Sequence, residues 1–224
     1  MATVADFQEL RTKMVDNQIR TRDITDLRVL EAFLSVPREV FVPANRQALA
    51  YIDEAILLNS ESVEPRYLLD PSTFAKLVQL AEITKNDLVL DIGCGMGYSS
   101  AILSELADSV IGLESDSNLS AAASSTLPQH GYDNVVVVTG ELPAGYVAEA
   151  PFDVIMLEGS VDFVPEGLFD QLKEGGRLIA VEGEGLAGVA RIYVKEDGVV
   201  SGRSVFNAAV KPLPGFEKAE EFVF

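Results

Sequence analysis

From residue 71 onward the chain alternates short unbroken apolar runs with stretches in which apolar residues recur every three or four positions. The runs 88–92, 110–114, 135–139, 152–157 and 177–181 are rich in Val, Ile and Leu, as strands buried on both faces require. The stretches 72–83, 98–106, 118–129 and 165–172 carry the helical spacing. Strand and helix in strict alternation predict a parallel sheet built of βαβ units. After residue 181 the rhythm changes to two strands, 189–195 and 199–206, separated by Glu196-Asp197-Gly198. The Asp-Gly step favours a hairpin turn, so the sheet is expected to end antiparallel.

The first 70 residues have a different texture. Leu10, Met14 and Val15 recur at helical spacing, and a second helix is expected after Thr25 as N-cap, turning Leu27, Leu30, Phe33 and Leu34 inward. Pro37 cannot continue that helix. Val40, Phe41 and Val42 form a short apolar segment before Pro43, and 59–66 is a polar loop long enough to act as a lid. The reading is a mainly helical extension and lid loop over 1–70 and an α/β core over 71–224, with a doubly wound, mostly parallel sheet.

The most informative stretch is Leu88-Val-Leu-Asp-Ile-Gly-Cys-Gly-Met-Gly-Tyr98, a buried strand running into a glycine-rich turn that opens a helix. Gly93, Gly95 and Gly97 allow close approach of a ligand, and the helix that follows points unpaired N–H groups at the same place, where a ligand carboxylate would be received. The dinucleotide fingerprint asks for a small residue where this chain has Tyr98. Asp91 offers a carboxylate to the amino group of a methionine moiety, which favours S-adenosylmethionine over a nicotinamide cofactor. Glu114, ending the next strand about 20 residues on, suits the two hydroxyls of a ribose. Glu141, in the turn after the third strand, is the candidate for the adenine amino group. Cys94 has no neighbouring base to activate it and reads as a small filler, and His130 as a helix-end cap or surface residue.

Composition narrows the partners. Acidic residues outnumber basic ones 35 to 17, a formal charge of −18 that repels a phosphate backbone, so nucleic acid is not expected to bind. No apolar run approaches the roughly 20 residues that cross a bilayer, and no secretory signal opens the chain, so a cytoplasmic protein without a membrane partner is expected. One cysteine and one histidine supply no metal-ligand cluster built on those residues.

Over nearly its whole length the chain resembles the protein-L-isoaspartate O-methyltransferase family. Met14-Val-Asp-Asn-Gln-Ile-Arg20, Val36-Pro-Arg-Glu-Val-Phe-Val-Pro43 and Ala50-Tyr-Ile-Asp-Glu-Ala55 are similar to that family's N-terminal segment. Residues 89–103 are similar to its glycine-rich motif, 152–157 to its fourth strand, and Leu172-Lys-Glu-Gly-Gly-Arg-Leu178 to the start of its fifth. The resemblance implies a Rossmann-like class I methyltransferase, with Asp91, Gly93, Gly95 and Gly97 around the methionine part of S-adenosylmethionine, Glu114 on the ribose and Glu141 on the adenine. It also implies a protein or peptide substrate with isoaspartyl residues, whose carboxyl group is methylated in protein repair.

One segment departs from the family pattern. Where the family shows Gly-Gln-Thr-Ile-Ser-x-Pro, this chain reads Pro65-Arg-Tyr-Leu-Leu-Asp-Pro71, and Leu69 falls on the family's active-site serine. A leucine donates no hydrogen bond, while Arg66, Tyr67 and Asp70 supply other polar groups and are the acceptor-side candidates, Arg66 by a charge-assisted pair with an anionic acceptor. Three readings stay open: an isoaspartyl carboxyl methyltransferase, a methyltransferase redirected to another small acceptor, and a noncatalytic S-adenosylmethionine-binding protein.

Overall fold

The computed structural model describes residues 3–59, 64–183 and 185–218. The extension holds α1 (Val4–Met14), a π-helical turn (Val15–Ile19), α2 (Leu27–Ser35) and a two-residue-per-strand hairpin, β1 (Ile56–Leu57) and β2 (Tyr67–Leu68). The core follows as α3 (Pro71–Ala81), β3 (Leu88–Ile92), α4 (Tyr98–Ser104), β4 (Ser109–Glu114), α5 (Ser117–Gln129), β5 (Val135–Thr139), β6 (Phe152–Val161), α6 (Glu166–Asp170), β7 (Leu172–Glu182), β8 (Val189–Glu196) and β9 (Val199–Asn207). Seven strands make one sheet in the order β5-β4-β3-β6-β7-β8-β9. The first five are mutually parallel, and β8 and β9 run antiparallel as the Asp-Gly turn predicts.

Each central strand sends alternate side chains to opposite faces. Val89 joins one apolar cluster and Leu90 and Ile92 the other. The first cluster crosses residue 70 without a break, taking in Met14, Phe33, Phe74, Tyr98 and Val181, with the Phe33 and Phe74 rings 5.6 Å apart. A fully buried side chain of this size contributes roughly 1.5–3 kcal/mol. The extension is therefore packed on the sheet rather than tethered to it.

Several predicted details are corrected. The N-cap of α2 is Asp26, whose Oδ1 accepts the Arg28 N–H at 2.9 Å, not Thr25. That shift makes Leu27 the first helical residue and leaves it 66% exposed, and Leu10 is also exposed. Strand β6 outruns its apolar core because a distant segment pairs with its end. Ser160 donates its N–H to the Lys211 carbonyl at 2.9 Å and accepts from Leu213 N–H at 2.8 Å. The 59–66 loop lies partly outside the described residues, which omit 60–63. Among the described residues no helix is long and apolar enough to cross a membrane.

Because β4 and β5 lie on one side of β3 and β6 lies on the other, the topological switch point falls between the C-terminal ends of β3 and β6. In open α/β sheets that crevice is where ligands bind.

Candidate functional site

The glycine-rich loop leaves β3 at this switch point. Gly93 (φ +89°) and Gly95 (φ +57°) adopt left-handed backbone conformations that disfavour a side chain. The loop's own amides are largely spoken for. Gly93 and Cys94 N–H both reach the Leu113 carbonyl, at 2.8 and 3.2 Å, Gly97 N–H reaches the Cys94 carbonyl at 2.9 Å, and Gly95 N–H reaches Glu114 Oε2 at 2.7 Å. Cys94 is buried, and burial pushes its thiol well above the ordinary range, as suits a filler residue.

Three carboxyl groups and one guanidinium meet behind the loop. Asp91 is fully buried. Its Oδ2 accepts Ser99 Oγ at 2.7 Å and Ser100 Oγ at 2.6 Å, while Oδ1 has no partner. Desolvation raises its pKa to about 6, against the two serine hydrogen bonds that lower it. Glu158, on β6 directly after Leu157, is buried with Oε1 unpartnered, and burial, with Asp91 nearby, raises its pKa well above the carboxylate range. Sequence reasoning missed Glu158. The available signal was an apolar strand run ending in an acid, the same pattern that singled out Glu114.

Arg66 corrects the largest expectation. It does not present its charge to an acceptor. Its side chain turns inward, 2% exposed, with Nε 3.2 Å from Glu114 Oε1, Nη2 3.2 Å from Glu114 Oε2, and Nη2 2.8 Å from the Gly93 carbonyl. The cause is charge: Asp91, Glu114 and Glu158 are buried together, and a guanidinium among them offsets a desolvation cost that none could bear ionised alone. Glu114 is fully engaged. Besides Arg66 and Gly95, its Oε1 accepts Ser115 N–H at 2.8 Å and Asp116 N–H at 3.1 Å.

The other acceptor-side candidates separate. Tyr67 and Asp70 line an open cavity of about 810 Å³ shared with Arg46, Asp53, Val210 and Lys211. Lys211 Nζ lies 5.6 Å from the Tyr67 ring centre. Asp70 is also the N-cap of α3, its Oδ1 accepting the Thr73 N–H at 2.8 Å, which gives it a structural task. Leu69 does not stand in this cavity. It is 2% exposed within the first apolar cluster, and its carbonyl accepts Arg38 Nη2 at 2.6 Å. Glu141 is exposed at the end of the β5 turn, as the residue before a short 3₁₀ turn (Leu142–Ala144), and its side chain makes no capping hydrogen bond.

Residues 9–217 match the family model described as protein-L-isoaspartate(D-aspartate) O-methyltransferase. The chain belongs to this family. A protein-L-isoaspartate O-methyltransferase 1 of Syntrophobacter fumaroxidans is 37% identical over 181 residues, covering 81% of this chain and 83% of that one. A solved protein-L-isoaspartate O-methyltransferase superposes with a TM-score of 0.80 at 28% identity, over 92% of this chain and 66% of that one. The fold is also that of a Plasmodium falciparum protein described as a β-aspartate methyltransferase and solved with S-adenosyl-L-homocysteine, with a TM-score of 0.74 at 21% identity over 92% and 97% of the two chains.

Within this family of S-adenosylmethionine-dependent O-methyltransferases, the N-terminal motif has a visible task here. Arg38, from Val36-Pro-Arg-Glu, is wholly buried. It donates Nε to the Ala50 carbonyl at 2.7 Å and lies 4.6 Å from the centre of the Tyr98 ring. Tyr98, whose bulk excluded a dinucleotide loop, is packed against Phe33, Phe41 and Phe74. The extension thus fastens the helix that the loop opens. His130 caps the C-terminus of α5, with its ring 6.3 Å from Phe41.

Set against the family's cofactor, the donor chemistry fits: the unpartnered Asp91 Oδ1 suits an ammonium, and Glu114 stands at the strand end where ribose hydroxyls are met. The space beside the loop is taken by the chain itself. A Cβ added at Gly93 would lie 2.5 Å from Arg66 Nη2 and 2.6 Å from Leu213 Cδ1, and one at Gly95 would lie 2.6 Å from Leu58 Cδ1.

Proposed function

We propose that the chain is a cytoplasmic S-adenosylmethionine-dependent methyltransferase that acts on the carboxyl group of an isoaspartyl-containing peptide or protein. Membership of the family over residues 9–217 carries the reading. The cofactor, when bound, supplies a methyl group on a sulfonium. Asp91 and the loop at Gly93, Gly95 and Gly97 would hold its methionine part, Glu114 its ribose and Glu141 its adenine. The acceptor would lie in the cavity beside Tyr67, where Arg46 and Lys211 offer two cations to a peptide carboxylate.

A carboxylate with a pKa near 4 is ionised at neutral pH, so this chemistry needs no general base from the protein. Tyr67, Arg46 and Lys211 would act by orienting the acceptor and excluding water, effects that reach large effective molarities when the geometry is right. The buried Leu69 leaves the serine's donor role unfilled, and Lys211 and Arg46, which line the cavity together with Asp53, Glu54 and Asp70, would take over the carboxylate. The test is transfer of label from methyl-tritiated S-adenosylmethionine to an isoaspartyl peptide beside the same peptide with normal aspartate. Label on the isoaspartyl peptide alone is the expected result. Label only on other proteins or metabolites assigns a different acceptor, and no label on any acceptor removes the reading.

A further inference from the structure

The Arg66–Glu114 pair joins two roles that the family reading keeps apart: Glu114 is the cofactor's ribose acceptor, and here it is an internal ion pair. We propose that Arg66 competes with S-adenosylmethionine for Glu114 and sets the cofactor affinity of this chain, an inference that rests on the cofactor assignment above.

Acceptor capacity makes the competition direct. A carboxylate offers about four lone-pair sites. Glu114 already receives Arg66 Nε, Ser115 N–H, Ser115 Oγ and Asp116 N–H on Oε1, and Gly95 N–H and Arg66 Nη2 on Oε2. The three backbone amides are fixed by the turn that follows β4 and by the glycine loop, so they cannot leave without unfolding local structure. Two donors can, the Ser115 hydroxyl on Oε1 and Arg66, and of these Arg66 alone holds both oxygens. A ribose placing two hydroxyls on Glu114 must therefore displace the two guanidinium donors.

Volume leads to the same residue. The Gly93 carbonyl accepts Arg66 Nη2 at 2.8 Å, so the guanidinium lies directly against the loop that is meant to approach the ligand. Leu213 and Leu58 complete the filling at Gly93 and Gly95, but they are uncharged and lose nothing electrostatic on moving aside. Charge closes the argument. Asp91, Glu114 and Glu158 form a buried acidic group in which Arg66 is the cation. S-adenosylmethionine carries a sulfonium and an ammonium, so it can replace the charge that Arg66 supplies. The exchange of one cation for another makes displacement feasible, while the bidentate pair it breaks makes it costly.

The experiment is isothermal calorimetry of S-adenosyl-L-homocysteine against the full chain, Arg66→Gln and Arg66→Ala, each checked for folding by circular dichroism. Arg66→Gln keeps part of the length and hydrogen bonding while removing the charge. The expected result is a gain in affinity of at least tenfold for the folded variants over the parent chain. Equal affinities, or weaker binding by the variants, overturn the competition and leave the cofactor assignment standing. Absence of binding by all three folded proteins overturns the competition and the assignment together. A measurement on the parent chain covers the case in which both variants fail to fold. With ¹⁵N-labelled protein the Arg66 Nε–H resonance, held by Glu114, must shift or broaden as the ligand saturates, and an unchanged resonance at saturation overturns the proposal.

Discussion

Arg66 and Tyr67 are neighbours in sequence, yet the guanidinium of one is sealed against Glu114 while the ring of the other lines an open cavity under Lys211. Two regions of the chain, separated by a single peptide unit, handle charge in opposite ways. At the sealed end Arg66 stands at 2% exposure among three carboxyl groups, tied to Glu114 so that removing either strands the other. At the open end Lys211 is exposed, meets the Tyr67 ring and has no ion-pair partner among the described residues, so its charge adds little to the fold. A cation matters to stability at one end and to recognition at the other.

The harshest way to break this comparison is Glu114→Ala. It leaves Arg66 buried with the Gly93 carbonyl as its remaining acceptor, and unpairing a buried ion pair costs about 3–5 kcal/mol. Urea unfolding followed by circular dichroism should register that loss. The double variant Arg66→Met with Glu114→Leu should recover part of it, because the broken pair is then removed whole while Asp91 and Glu158 lose the cation beside them. A loss below about 1 kcal/mol for the single change would mean that water reaches Arg66 and that the sealed end is not sealed.

Leu69→Ser comes next in size. The family's hydroxyl would be restored in name only, because this side chain points into the apolar cluster with Phe33 and Phe74 rather than into the cavity. Emptying a leucine site costs about 2–4 kcal/mol, and burying an unpaired hydroxyl adds to it. The expected outcome is a lower unfolding midpoint with no rise in kcat/KM for an isoaspartyl peptide. A rise in kcat/KM would place the side chain at the acceptor and erase the distinction between the two ends.

The acid dependence of stability sharpens the sealed end further. Asp91 has its pKa raised to about 6 in the folded chain by desolvation, above its unfolded value of about 3.9. The folded state therefore holds this proton more tightly, so its contribution is complete below pH 4 and is lost as pH rises toward 6. Relative to Asp91→Asn, which cannot titrate, the parent chain should lose on the order of 2 kcal/mol across that window. Thermal midpoints of both proteins from pH 4 to pH 7 check the sign. Parallel curves would show that Asp91 is solvated and that the acidic group is not a closed one.

How much of this was legible beforehand follows from the range of each interaction. The strands β3 and β4 were readable because their burial on both faces writes itself as uninterrupted Val, Ile and Leu, whereas β5, equally apolar in sequence, is the half-exposed edge of the sheet with Val136 56% exposed. The end of β6 was not, since Gly159 and Ser160 are small or polar in sequence and are held as strand between Val181 of β7 and the segment 211–213, some fifty residues away. Asp91 and Glu114 were found from their positions at strand ends. Arg66 was found as a residue and misplaced as a group, because its partner is 48 positions distant and nothing local announces an inward turn. Its neighbour Asp70, read as a cavity group, is held first by the N-terminus of α3, a role that Asp70-Pro71 does signal locally.

The gentlest change tests the open end. Lys211 is exposed, and the contact described for its ammonium is the Tyr67 ring at 5.6 Å, which contributes roughly 0.5–1 kcal/mol at an exposed site. Lys211→Ala should accordingly shift stability by no more than about 1 kcal/mol, far less than the change at Glu114. Its effect should fall on binding. If Lys211 meets the acceptor carboxylate in the ground state and the transition state alike, KM for an isoaspartyl peptide rises several-fold while kcat stays nearly constant. The same interaction is solvent-screened, so raising salt should increase KM for the parent chain and have little effect on the variant. Tyr67→Phe keeps the ring and separates the cation–ring contact from any role of the hydroxyl. Unchanged KM in Lys211→Ala at low salt would remove the cation from recognition and leave the cavity's specificity to Arg46.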